Sequence, residues 1–244
     1  MNDSVQNIKT ICKRELNGYF ASPVAYVFIV IWLLLNGFFT FSLGGFFEMG
    51  QASLASFFRW HPWLYLFLVP AVGMRLWSEE RRLHTLELLL TMPITPWQAI
   101  VGKFIASWLF LIIALALTFP VVITVCYLGN ADLGEIFTGY VGSALMAGGY
   151  LAVTSMTSAF TRNQVISFIV SVVVCFFLLL CGFDRVTDLL PDSLVGIVTS
   201  LSSLTHFIAF QKGVIDSRDL IYFGSLIGFS LFLNGVIIRN LRAG

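Results

Sequence analysis

Four stretches of this 244-residue chain run for more than twenty residues without an Asp, Glu, Lys or Arg: 16–47, 104–131, 136–161 and 163–183. A helix needs ~20 apolar residues to cross a bilayer, so each can span one. A fifth charge-free stretch, 220–238, is shorter but adequate. The 49–74 region is broken only by Arg59. Its apolar part, 57–77, spans if Arg59 and Arg75 snorkel to opposite interfaces, with Trp60, Trp63 and Trp77 as aromatic belts. The composition agrees. Residues are 58% hydrophobic and 11% charged, where a soluble domain is roughly 45–50% and about 25%. That excludes a soluble enzyme and a disordered segment, and a net charge of +1 gives no electrostatic footprint for nucleic acid. The expected fold is a single all-α integral membrane domain. It has six transmembrane helices at about 23–47, 57–77, 100–128, 136–160, 164–182 and 220–238.

Stretch 193–211 is rich in Ser and Thr and too polar to face lipid. The region 192–212 is expected to lie in the outer interface or to dip partway in as a re-entrant segment. Charge placement supports six spans with both termini cytoplasmic. Lys9, Lys13, Arg14, Arg75, Arg81, Arg82, Lys103, Arg162, Arg239 and Arg242 then lie inside, and only Arg59, Arg185, Lys212 and Arg218 lie outside. That is the asymmetry of a membrane protein with positive loops inside. No signal peptide is expected, because the first apolar run is too long for one.

Residues 4–19 place Val5, Ile8, Ile11, Cys12, Leu16 and Tyr19 near one face and Lys9 and Lys13 on another. This is an interfacial amphipathic helix. In 79–90, Leu83, Leu86 and Leu90 fall at helical spacing on a charged background, ahead of Pro93. A helix that short is marginal alone and needs a surface to dock on. The fourth span carries Gly139, Gly142, Ser143, Ala144, Ala147, Gly148, Gly149 and Ala152, with Thr154, Ser155, Thr157 and Ser158 toward its inner end. Such residues let backbones approach in lipid, and packing within the bundle is the favoured reading over a dimer contact or a substrate path. Gly224 and Gly228 repeat the spacing in the last span.

Familiar chemistry is absent from the sequence. No Gly-x-x-x-x-Gly-Lys-Ser/Thr loop is present to cradle ATP phosphates. The spans carry almost no ionisable groups of the kind ion-coupled carriers use. No cofactor or metal is expected in this chain. If it moves something, the energy comes from another subunit. The three histidines form no His-Glu-x-x-His motif, and no Gly-x-Ser-x-Gly occurs. His61 is expected at the outer interface and His84 in the cytoplasmic segment. An intramembrane enzyme using His206 is the less favoured alternative. Cys126 and Cys181 could pair near the outer end, although inert packing is the favoured role.

Three segments carry a resemblance to a known family. They are Lys13-Arg14-Glu15-Leu16 with Tyr19-Phe20-Ala21-Ser22-Pro23-Val24-Ala25-Tyr26; the run from Glu79 through Glu80, Arg81, Arg82, Leu83, His84, Thr85, Leu86, Glu87 and Leu90 to Pro93-Ile94; and His206-Phe207 with Phe210-Gln211-Lys212-Gly213-Val214-Ile215-Asp216-Ser217-Arg218-Asp219-Leu220-Ile221-Tyr222. The chain resembles the type-2 ATP-binding-cassette exporter permeases, and most nearly their gliding-motility-associated subfamily. His84 stands where a Gly is common in that family, and Ile208 where an acidic residue often follows His-Phe.

The resemblance implies an exporter permease in the inner membrane. It would pair with an identical or paralogous permease and with two ATPase subunits that hold ATP and magnesium. Membrane lipids would surround it, and an auxiliary extracytoplasmic subunit could join it. Residues 79–90 would be the coupling helix. Glu79, Glu80, Arg81, Arg82 and Glu87 would meet the ATPase by charge, Leu83, Leu86 and Leu90 would fill an apolar floor, and His84 and Thr85 would lie between them. The outer segment would use His206, Phe207, Gly213, Asp216, Arg218 and Asp219. The alternative function is ATPase-driven mechanical transmission, or an anchor for an extracytoplasmic complex, without transport.

Overall fold

A computed structural model describes residues 2–48, 50, 52–85, 95–188 and 191–243, and every regular element among them is helical. An amphipathic α1 (Asn2–Ala21) leads through Ser22 into α2 (Pro23–Phe38), which runs on as a π-helical turn (Phe39–Leu43). Ser22 accepts the Val24 N–H, and Pro23 sits in the first turn, where a missing N–H costs least. Then come α3 (Ala55–Gly73), α4 (Arg75–Arg82), α5 (Pro96–Ala116), α6 (Phe119–Leu128), α7 (Leu133–Phe160) and α8 (Gln164–Leu180). A one-turn α9 (Asp184–Thr187), α10 (Asp192–Ser200), α11 (Ser203–Gln211) and the long α12 (Ser217–Ala243) complete the chain.

By length and composition, four stretches can cross a membrane: Pro23–Leu43, Pro96–Leu128, Leu133–Phe160 and Ser217–Asn240. The bent pair α10–α11 makes a fifth if it is one span. Of the other two expected spans, 164–182 corresponds to the apolar, 17-residue α8. The remaining one, 57–77, falls on α3 and the start of α4, which carry Arg59 and His61. The expected span 100–128 jogs at Leu117–Thr118, because Pro120 lacks an N–H and its ring displaces the carbonyl four residues back. The outer segment expected over 192–212 is two helices bent by 64°. Ser202 makes the break by accepting the N–H groups of Leu204 and Thr205.

The bundle is built around α7. Of its most apolar window 72% is buried, against 22–33% in the other three stretches. Hydrophobicity does not pull helices together in lipid, so close approach has to come from shape. On α7 the glycines supply it. A Cβ on Gly139 would overlap the Phe58 ring of α3, one on Gly142 would lie 2.5 Å from Phe210 Cβ of α11, and one on Gly149 would lie 3.0 Å from Leu226 Cδ2 of α12. The α3 crossing is as close at Gly73, whose Cβ would meet Thr154 Cγ2 at 2.6 Å. Gly224 and Gly228 have open space instead. Similar spacings thus do different things in α7 and α12.

One histidine corrects the sequence reading. His61 is not a solvated interfacial residue but wholly buried within the bundle, bonded to Ser143 of α7 and Asn36 of α2. The expected surface helix α1 packs along α5, with Ile11 seated on Gly102, while Val5 stays exposed.

Replacing Gly142 by Ala should lower the thermal stability of the detergent-purified protein by about 1–3 kcal/mol, because the core is overpacked there. The matching Gly224→Ala should be neutral or gain up to ~1 kcal/mol from helix propensity. Equal effects at both sites would contradict the central role of α7.

Candidate functional site

α4 continues α3 across a break at Met74, and α7 holds that break. Ser158 donates to the Met74 carbonyl at 2.9 Å and accepts the backbone N–H groups of Trp77 and Ser78, each at 3.0 Å. Ser78 donates its hydroxyl to the same carbonyl. One serine therefore satisfies backbone groups that the interrupted helix leaves open. Ser155, one turn earlier, accepts from Trp77 Nε1 at 3.2 Å and from Asn234 Nδ2 of α12 at 2.7 Å. The Ser/Thr-rich end of the fourth span thus clasps the joint between α3 and α4.

The charges of α4 divide into two sets. Glu80 turns inward and pairs with Lys103 of α5 at 2.8 Å; Lys103 also reaches Glu15 of α1 at 3.4 Å and lies over the Trp77 ring, 5.5 Å from its centre. The Lys103 side chain is only 5% exposed. Arg81 turns toward α7 and donates to the Ala159 carbonyl at 2.5 Å, supplying positive charge at a helix C-terminus that has no basic residue in its own last turn. Burial, and then the nearby Arg162 charge, pull the Arg81 pKa down. Glu79 and Arg82 face solvent as a loose pair 3.9 Å apart. Of the α4 charges that the resemblance assigns to the ATPase, Glu80 and Arg81 are held by the chain itself, while Glu79 and Arg82 are not.

The helix expected over 79–90 is also broken. α4 ends at Arg82, Leu83 donates its N–H to the Glu79 carbonyl, and His84 takes a left-handed backbone with φ +56°. That conformation suits glycine, and this is the position where the resembling family commonly has one. Thr85 donates to the Glu80 carbonyl at 3.4 Å. Arg82, Leu83, His84 and Thr85 form an exposed tip, with Leu83 58% exposed. Leu86, Glu87 and Leu90 lie outside the described residues.

At the other end, the structure brings two of the outer-segment residues into contact. His206 Nδ1 lies 2.5 Å from Asp219 Oδ1, and Nε2 lies 3.1 Å from the Ser200 carbonyl. Tyr222 stacks on the imidazole and donates its hydroxyl to Leu201 O at 2.7 Å. Phe207 is fully buried beneath. Gly213 has φ +79°, and Asp216 opens α12 by accepting the Arg218 N–H. Asp216 and Arg218 stay exposed. Both ring nitrogens of His206 are engaged in the joint between α10, α11 and α12, so its imidazole serves there as a structural partner. The four cysteines are free thiols.

Sequence reasoning missed Lys103 and Ser158. The available signal was a lysine inside an otherwise apolar helix, opposite a helix with small hydroxyl residues at one end.

Two predictions test this joint. Replacing Lys103 by Met strands Glu80 in a largely buried site, leaves Glu15 with Arg14 alone, and should cost about 3 kcal/mol. Adding Glu15→Gln and Glu80→Gln should recover most of that loss in a thermal unfolding series. The second concerns pH. Burial alone would raise the Glu15 pKa, but the Lys103 charge and then Arg14 outweigh it, and the net direction is down. A depressed carboxyl lends stability that is fully present above about pH 4 and is lost as pH falls through the folded value. The acid-induced drop in melting temperature should therefore shrink in the Glu15→Gln protein. An unchanged drop would show that Glu15 does not contribute.

Comparison with known proteins places these features. No curated protein matches the chain. The family model described as ABC-2 family transporter protein matches residues 64–186, just over half of the chain, and takes in Met74, all of α4, Lys103 and Ser158. The chain belongs to the ABC-2 transporter family and is a multi-pass membrane component of that transporter class.

Proposed function

We propose that the chain is the permease of an ATP-binding-cassette exporter and that a separate ATPase subunit, holding ATP and magnesium, docks on the tip at Arg82–Thr85. One observation supports this most. An exposed tip carrying Leu83 stands at the end of a helix pinned to α5 and α7. An exposed apolar residue on a rigid, charged support suits a partner groove. A push on that tip reaches α3 through Met74, α7 through Ser158 and α1 through Lys103 together.

Six spans, inner-membrane insertion and cytoplasmic termini complete the proposal. They are supported by the basic residues that share one end of the bundle: Lys103 beside Glu15 and Glu80, Arg81 at the end of α7, and Arg239 over Trp97. Two permeases and two ATPases would form the working unit. The gliding-motility-associated subfamily is the finer assignment, supported by the resemblance of residues 206–222.

Leu83→Glu should abolish co-purification of a co-expressed ATPase subunit without lowering the yield of the permease. Leu201→Glu, at a 48% exposed position at the other end, should have no effect. Retention of the ATPase by the Leu83 variant would place docking elsewhere.

A further inference from the structure

Arg81 and Arg162 both lie at the C-terminal end of α7, and docking at the tip does not use them. Arg81 Nη1 donates to Ala159 O at 2.5 Å, in the last turn of α7, and Arg162 follows Ala159 by three residues along the chain. One bond satisfies one of the five N–H donors of Arg81. Among the described residues, neither arginine lies within ion-pair distance of a carboxylate. Two guanidinium groups at one helix end, with no carboxylate partner among the described residues, offer a site to an anion.

The surroundings indicate which anion. Arg162 is exposed between α7 and α8, flanked by Phe160, Val165 and Ile166, which are 64%, 63% and 51% exposed. Ile169, Val170, Val173 and Phe177 continue that outward apolar face along α8. A face of this kind meets acyl chains, and its end at Arg162 is the level of the headgroups. Guanidinium groups bind phosphate in forked pairs of charge-assisted bonds.

We propose that Arg81 and Arg162 bind the phosphodiester of an anionic lipid, whose acyl chains run along α8 past Val165 and Ile166. The bound lipid then holds the last turn of α4 against the end of α7. This goes beyond the exporter reading and stands whether or not an ATPase docks at the tip.

The test titrates the full chain, purified in detergent, with phosphatidylglycerol and counts bound lipid by native mass spectrometry. Phosphatidylcholine is the zwitterionic reference. The wild type should prefer phosphatidylglycerol. Arg162→Gln, at an exposed position where folding is not at risk, should weaken that binding roughly fivefold, and Arg81→Gln with Arg162→Gln more. Lys9→Gln with Lys13→Gln, which removes two exposed charges from α1, should leave it unchanged. An equal loss in that control, or no loss in Arg162→Gln, would overturn the site. Displacement of the lipid by millimolar inorganic phosphate would make it a free-anion site and overturn the lipid assignment. So would an Arg162→Gln protein that kept its lipid but lost the co-expressed ATPase, since the pair would then serve a protein partner.

Discussion

The bundle depends on how closely other helices can approach α7. In a bilayer, moving a leucine from lipid to a neighbouring helix gains little, so association rests on dispersion contacts and on polar groups that find partners. α7 meets both needs with different residues along its length. Toward its start, Gly139 and Gly142 admit Phe58 and Phe210 where any side chain would collide. Toward its end, Ser155 and Ser158 bond α12 and the α3–α4 joint. A helix of larger apolar residues would be as stable in lipid, but it could not hold its neighbours at these distances.

The same division explains why α4 can act as a lever. Its backbone is interrupted at Met74, and an interrupted helix would normally flex there. Ser158 supplies the missing hydrogen bonds from outside, so the joint moves with α7 rather than swinging freely. Lys103 adds a second attachment of another kind. Burying a lysine between two carboxylates is a poor way to stabilise a protein, since apolar residues of similar volume often do as well. Its value lies in direction: a charge shared by Glu80 and Glu15 ties α4 to α1 through a single atom on α5.

Much of this was legible in the sequence because it depended on composition and period. Apolar length gave the helices, and the glycines and serines of 139–158 marked the packing helix. The Ser/Thr-rich run before the last helix gave a segment unlike the others. What stayed hidden depended on direction in space. Nothing local distinguishes Glu80 from Glu79, yet one meets a buried lysine more than twenty residues away and the other meets solvent. His84 reads as an ordinary residue of a charged helix, and only its left-handed backbone shows that the helix has ended. His61 sits one residue before a proline near an expected interface, and nothing nearby in sequence announces Asn36 or Ser143 as its partners.

His61 also shows what a buried polar group requires inside an apolar bundle. Asn36 donates its Nδ2–H to the Trp32 carbonyl at 2.9 Å, which turns Oδ1 toward the imidazole. Oδ1 can only accept, so the hydrogen on the ring belongs to Nε2, and the bare Nδ1 accepts the Ser143 hydroxyl at 2.7 Å. The donors all run one way, from α7 through α3 to α2. Phe57, Tyr65 and Trp32 pack around the ring and leave no room for solvent. A second ring proton would have to sit between Nδ1 and the serine oxygen, reversing that bond and placing an unbalanced charge among aromatic rings. The chain of bonds therefore fixes one tautomer as well as one packing of α2, α3 and α7. This end of the bundle is held by hydrogen-bond polarity, as the α4 end is held by the charge of Lys103.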